Sequence, residues 1–275
     1  MPTYRLTVEY EGTRYHGWQE QQNARSVSGE LRLAIQEHVP VIELGGAGRT
    51  DAGVHALAQT AHLRVREKLD PESLRREVNE RLPSDIHVLS VVPAGEKFHA
   101  RHDAVSRSYL YQISRRRTAF AKRYVWWVRR PLDVSRMEEA AQRIEGRHDF
   151  ALFCERPSEQ ASTVVVLQSV EIASSGALIL IRLVASHFLW KMVRRLVGGL
   201  VKAGTGGIGT GEMERLLDRR SQSSESGKPA EWTATASGLF LERVLYEGDT
   251  PLPTLSSAVP VVEERAPVTP RGRNP

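Results

Sequence analysis

SRSYLYQIS, residues 106–114, is where the chain begins its own plan a second time. It reads as a strand, with Arg107, Tyr109 and Tyr111 at alternate positions and so on one face. Working back from it, Tyr4, Leu6, Val8 and Tyr10 alternate with Arg5, Thr7 and Glu9, the period of a half-buried strand. Ser26 caps a helix whose stripe is Val27, Leu31, Ala34 and Ile35. Pro40 to Leu44 is a short apolar strand, and Leu57, Ala61, Leu63 and Val65 keep strand phase. Asp70-Pro71 starts a helix striped by Leu74, Val78 and Leu82, and Ile86 to Val92 is the next strand. The order is β-α-β-β-α-β, a ferredoxin-like unit.

Working forward, the order returns without detectable sequence repetition. Asp133 caps a helix with Val134, Met137, Ala141 and Ile144, stopped by Gly146. Val164–Ile172 and Ala177–Val184 form a hairpin around Ser174-Ser175-Gly176. Leu189 to Ala203 is a helix, Glu212 to Leu217 a short extra one, and Gly238 to Tyr246 a closing strand. The expectation is an α+β protein of two related halves, 1–105 and 106–246, whose sheets join edge to edge along a cleft. Residues 220–230 read as a polar loop. Residues 247–275 hold six of the 14 prolines without periodicity and read as a disordered tail.

The 275 residues suffice for one large domain or two ordinary ones. The sequence has no stretch long enough to span a bilayer and no apolar run of signal-peptide type. Its single cysteine, Cys154, fits a reducing, cytoplasmic setting. The net charge of +5 makes a polyanion such as nucleic acid a candidate partner.

GAGRTDAGVHA, Gly46 to Ala56, surrounds one carboxylate, Asp51, with glycine. It fails as a phosphate-binding loop, because Arg49 stands where the lysine would be and Glu43 where the first glycine would be. Asp51, His55 and His62 do not have a recognised metal spacing. Asp51 reads either as an exposed nucleophile beside Arg49 or as an Asx-turn that shapes the loop. In FHARHDAVSRSYLY (Phe98 to Tyr111) a tyrosine beside an arginine could stack an unpaired base, or be a core tyrosine. In FLWKMVRRLVGG (Phe188 to Gly199) Lys191, Arg194 and Arg195 lie off the apolar stripe. Arg194 could pair with a buried carboxylate, or all three could form a solvated face. Ser114 to Arg130 interleaves seven Arg and Lys with Phe120, Tyr124, Trp126 and Trp127, which suits RNA or a buried Trp pair with a basic rim.

These pieces, with YEGTRYHGWQ (Tyr10 to Gln19), GRHDF (Gly146 to Phe150) and SGLFLERVLY (Ser237 to Tyr246), occur in an order that resembles the tRNA pseudouridine synthase A (TruA) family over about residues 3–246. GRTDAGVHA is the most specific marker. Two positions depart from the family pattern: Lys191 stands where histidine is expected and Thr235 where proline is expected.

The resemblance implies two ferredoxin-like halves around a long mixed, mainly antiparallel sheet with a basic central cleft. It implies a homodimer that isomerises uridine to pseudouridine on the 3′ side of the tRNA anticodon stem-loop, without metal or cofactor. Asp51 would be the nucleophile. Arg194 would pair with it. Tyr109 would stack on the uracil and take the C5 proton. Arg49 would hold the flipped nucleotide, with Arg101, Arg107 and Lys191 as further substrate contacts. The competing readings are a non-catalytic RNA-binding module, a metal-dependent nuclease using Asp51 and His55, and a pseudouridine synthase acting on another RNA.

Overall fold

The computed structural model describes residues 1–159, 162–218 and 228–263. The chain-order elements begin with β1 (Thr3–Tyr10), α1 (Val27–Gln36), β2 (Val41–Gly46), β3 (His55–Val65), α2 (Pro71–Arg81) and β4 (Ile86–Ala94). Next come β5 (Ala104–Ser114), β6 (Trp126–Trp127), α3 (Val134–Gln142), β7 (Gly146–Asp149), β8 (Val164–Ser175), β9 (Leu178–Ala185), α4 (Met192–Gly204), α5 (Glu212–Leu217) and β10 (Leu239–Tyr246).

The helix starts form where local chemistry dictates. Ser26 accepts from the Gly29 N–H at 3.2 Å, Asp70 from Ser73 at 2.7 Å and Asp133 from Arg136 at 3.1 Å. Each cap satisfies a backbone donor that the first turn leaves open, for about 1 kcal/mol.

All ten strands form one mixed sheet, in the order β4-β1-β3-β10-β5-β9-β8-β7, with β2 on β3 and β6 on β5. Up to Ala94 the strand order is β4-β1-β3-β2, all antiparallel. In the later part it is β10-β5-β9-β8, again antiparallel. The two groups meet where β3 runs parallel to β10, with only His55 opposite Phe240 and Ala56 opposite Leu241. Further along β3, the same edge carries β2. The sheet therefore forks at the seam, and the loop from β2 to β3 emerges in the fork.

Strand alternation sorts the core into two layers. Tyr109, Tyr111, Ile113, Ile181 and Leu241 join the cluster that holds Leu31, Leu74, Met137 and Leu196 from the helices. Leu110, Leu178, Leu180 and Phe240 point the other way into a smaller cluster. The central strands are thus buried on both faces.

Several boundaries differ from the sequence expectation. β2 extends through Gly45 and Gly46. α4 starts at Met192, because Lys191 adopts a left-handed φ of 61° and breaks the helix before it. α3 ends at Gln142, and Gly146, at φ 107°, opens the edge strand β7 instead of simply stopping the helix. The loop expected at 220–230 lies mostly outside the described residues; Pro229–Trp232 forms a 3-10 turn.

The tail expectation needs correction up to residue 263. Leu255 and Val261 are buried in the smaller cluster against Leu110 and Phe240. Gln112, fully buried, accepts from the Ala258 N–H at 2.7 Å and donates to the Tyr124 carbonyl at 2.9 Å. A proline-rich run has no period of its own, yet it packs because an apolar sheet face needs cover. Removing residues 251–275 should cost about 3–5 kcal/mol, the burial of two aliphatic side chains and the apolar surface beneath them. Urea unfolding of the full and shortened chains checks this; equal midpoints would refute it.

Candidate active site

The loop from Ala47 to Val54 is held almost entirely by groups outside itself. The Gln59 amide donates to the Gly48 carbonyl at 2.8 Å. The Tyr10 hydroxyl and Thr50 Oγ1 share a hydrogen bond of 2.8 Å. The Trp18 backbone N–H donates to the Thr50 carbonyl at 3.1 Å, and Gly53 donates to Tyr15 at 3.3 Å. YEGTRYHGWQ is therefore the buttress of the glycine loop. That role carries no sequence signal except the two stretches occurring together.

The glycines of the loop do different jobs. Gly45 and Gly46 lie where a Cβ would meet the His62 ring at 2.4 Å and the Trp18 indole at 2.4 Å. Gly53 has φ 76°, a turn conformation. Only Gly48 faces open space, so it alone fits the close approach of something external.

Asp51 is half-buried on this loop. Its Oδ2 lies 3.6 Å from Arg194 Nη1, across the fork. Arg194 is aimed by its own backbone neighbourhood: its Nε donates to the Ala234 carbonyl at 2.7 Å, and Ala234 N–H donates back to the Arg194 carbonyl at 3.0 Å. Gly198, one turn on, lets the Trp232 backbone lie against α4. Burial raises the Asp51 carboxyl above its ordinary pKa; Arg194, Lys191 and the nearby Trp190 indole hold it down against that.

Tyr109 sits beside this pair with its ring edge-on to Phe188, centroids 5.0 Å apart. Burial, and secondarily the Asp51 charge, pushes its hydroxyl well above the ordinary tyrosine pKa. It is therefore a neutral phenol at rest. Tyr111, on the same face, donates to the Thr235 carbonyl at 2.8 Å. The departure at Thr235 has a use, since its hydroxyl bridges Tyr111 and Ser237.

The cations divide into two kinds. Arg49 and Arg101 are exposed, and neither side chain has a hydrogen bond or ion pair among the described residues. Arg107 is buried, and its guanidinium donates to the carbonyls of Ala104, Ser186, Ala47 and Arg101 at 2.7–3.2 Å. It is a brace that ties the glycine loop to the turn carrying Arg101, not a free platform beside Tyr109. Arg195 is likewise buried, spanning the Cys154 carbonyl and the Glu155 carboxylate, so the expected solvated face of α4 is not one. Lys191 Nζ lies 3.6 Å from Glu155 Oε1. In the 114–130 segment, the Arg117 and Arg129 guanidinium groups both lie over the Trp127 ring, and Phe120 is almost fully exposed.

His55 is a strut, not a partner of Asp51. Its Nδ1 accepts the Gly12 N–H at 2.9 Å, so the proton is on Nε2, which donates to the Arg123 carbonyl at 2.9 Å. Burial lowers its pKa and keeps it neutral. A nuclease reading loses its histidine here.

Among the described residues, Glu43, His62 and His99 bring three donor atoms within 4.8 Å of one another. They do not fit a metal ion. His62 Nδ1 accepts from the Ala100 N–H at 3.2 Å, which leaves the ring proton on Nε2 facing Glu43 at 3.2 Å. Arg64 already neutralises that carboxylate at 2.5 Å.

Known proteins resemble the chain closely. The family profile described as tRNA pseudouridine synthase matches residues 6–103 and 140–247. A protein of Rhodopseudomonas palustris named tRNA pseudouridine synthase A is 40% identical over 251 residues, covering 90% of this chain and 100% of that one. Proteins of the same name from Agrobacterium fabrum and Maricaulis maris are each 38% identical, covering 90% of this chain and 93% and 99% of theirs.

Proposed function

The chain belongs to the tRNA pseudouridine synthase family and isomerises uridine in tRNA, and on that premise we propose that Asp51 is its nucleophile and the anticodon stem-loop its target. The observation that supports the assignment is the pair of Asp51 and Arg194 at 3.6 Å, presented on a buttressed loop beside Tyr109. The target base must leave its stack, at a cost of a few kcal/mol. The Asp51 carboxylate then attacks the ribose C1′ as the N1–C1′ bond breaks and uracil leaves as an anion. Alternatively, it removes the 2′ proton to form a glycal. The freed uracil turns and its C5 bonds to C1′, displacing the Asp51 carboxylate in the first route, while in the second Asp51 returns the proton to C2′; the C5 proton is then lost while N1 gains one.

Arg194 keeps the attacking carboxylate ionised and aligned. Tyr109 stacks on the uracil. Because it rests as a phenol, it relays the C5 proton rather than acting as a standing base. Arg49 and Arg101 reach the RNA backbone directly, Lys191 from the start of α4, and Arg107 acts by holding their loops.

The strand orders β4-β1-β3-β2 and β10-β5-β9-β8 support two ferredoxin-like halves, 1–105 and 106–246, with the cleft at the seam. The active form is a homodimer, which sedimentation at micromolar concentration would test; a monomer that turns over tRNA would refute it. Among the described residues no helix is long and apolar enough to cross a membrane, and the enzyme is assigned to the cytoplasm with its substrate.

The test is tritium release from tRNA labelled at uracil C5, with uridine moved stepwise within the anticodon arm, in buffer with and without excess EDTA. Release should follow uridine on the 3′ side of that arm. Chelation should not change the rate, since the neighbours of Asp51 are cations that would compete with a metal ion. Release from ribosomal fragments but not from tRNA would sink the substrate assignment.

A further inference from the structure

Trp190 takes no part in the mechanism above, yet its surroundings are unusual. Trp190 is 40% exposed, whereas Trp18 and Trp232 are 3% and 9%. Exposure alone means little. However, two cations lie over the same ring: Arg156 Cζ is 5.4 Å and Lys191 Nζ 5.6 Å from its centroid. Arg156 and Lys191 are also the two non-glycine residues with positive φ among the described residues, 48° and 61°. A long side chain avoids that conformation unless its surroundings impose it.

The imposing structure is visible. Glu155 N–H donates to the Trp190 carbonyl at 2.9 Å. Buried Arg195 grips the Cys154 carbonyl and the Glu155 carboxylate, and that carboxylate also faces Lys191. The segments around 155 and 190 are thereby clamped into one unit that presents an indole face bordered by two positive charges. The indole is close enough to the Asp51 carboxylate to favour its ionised form, so this unit stands beside the reacting group.

We propose that Trp190 is a stacking platform for the base of the nucleotide next to the flipped uridine, with Arg156 and Lys191 on its flanking phosphates. An aromatic ring with two cations beside it matches an unpaired base between two phosphates, and does so without regard to base identity. The inference rests on the reading of Asp51 as the reacting group in tRNA.

The test compares Trp190→Phe, Trp190→Ala and Arg156→Ala by tritium release. In an Asp51→Asn background, tryptophan fluorescence follows binding of an anticodon stem-loop RNA. Trp190→Ala should raise KM about tenfold, the loss of one base–aromatic stack, and Arg156→Ala should raise it several-fold. Trp190→Phe keeps an aromatic ring and loses the N–H, so its KM should stay within about threefold. Its acid limb should move to higher pH, because the indole donor that favours the carboxylate is gone. RNA binding should quench fluorescence in Asp51→Asn, and most of that quenching should vanish when Trp190→Phe is added.

A KM for Trp190→Ala within twofold of wild type, or equal KM values for the Phe and Ala variants above wild type, would overturn the stacking role. Unchanged quenching would do the same. Turnover by Asp51→Asn itself would instead remove the nucleophile reading, while the KM and quenching results would still decide the stacking role of Trp190 separately.

Discussion

Asp51→Asn should bind tRNA as wild type does and release C5 tritium at least about a thousand-fold more slowly. The amide is nearly the size of the carboxylate, and the loop does not depend on that side chain for its shape. Gln59, Tyr10 and the Trp18 N–H hold Gly48 and Thr50 whatever stands at position 51. What the substitution removes is the anion, and an amide neither attacks C1′ nor takes a 2′ proton.

The same residue should set a pH dependence of activity. Its carboxyl is raised by burial, so wild-type kcat should fall as pH drops through that raised pKa, above the ordinary aspartate range. The stability linkage has the opposite sign. A carboxyl that holds its proton more tightly when folded makes wild type lose stability as pH rises from the unfolded pKa through the folded one. Asp51→Asn lacks that loss and should be no less stable than wild type at neutral pH. Filter binding, tritium release and urea titrations at several pH values measure all three. Equal tritium release from both proteins would reduce Asp51 to a shaper of the turn.

Gly198→Ala should be the most damaging change that touches neither substrate nor Asp51. A Cβ there would lie 1.6 Å from the Trp232 carbonyl oxygen, which is backbone and cannot turn aside. The run from Trp232 to Ala236 must move off α4. That run carries the Ala234 carbonyl that holds Arg194 Nε, and Thr235, which receives the Tyr111 hydroxyl. Overpacking of this kind costs about 3 kcal/mol. Losing the alignment of Arg194 should lower kcat about a hundred-fold with tRNA affinity near wild type. Gly211→Ala is the control, since a Cβ there meets nothing within 4 Å. Urea midpoints and single-turnover rates on folded protein check both, and normal turnover by Gly198→Ala would show that Arg194 does not depend on the 232–236 run.

Local signals in the sequence carry a good part of this structure. The caps at Ser26, Asp70 and Asp133 act within three residues, and each is bonded as its sequence position implies. The strand period at Tyr4 to Tyr10 depends on nearest neighbours, and the alternating side chains are buried accordingly. The site is legible differently. GRTDAGVHA and the arginine of FLWKMVRR point to Asp51 and Arg194 through resemblance, since neither spacing nor composition relates two residues so far apart.

Arginine is where sequence and structure part. Arg107 and Arg195 look like surface cations, and they are buried because four backbone carbonyls in one case, and a carbonyl with a carboxylate in the other, converge on them. Which carbonyls converge is a property of the assembled chain. Trp190 gives no signal in the sequence for the same reason: its meaning lies in Arg156, Lys191 and Asp51 around it.

The amino-acid order alone thus determined most of the segments that become strands and helices, though not the short edge strands β6 and β7, because those outcomes rest on hydrogen bonds and side-chain periods spanning a few residues. Only the tertiary structure decided that the strand groups join through β3 and β10 and that the tail covers the face of Leu110 and Phe240. It also decided that Asp51 meets Arg194 across the fork. Those contacts join residues whose separation along the chain is bridged by packing, and burial against distant partners, not local preference, supplies their free energy.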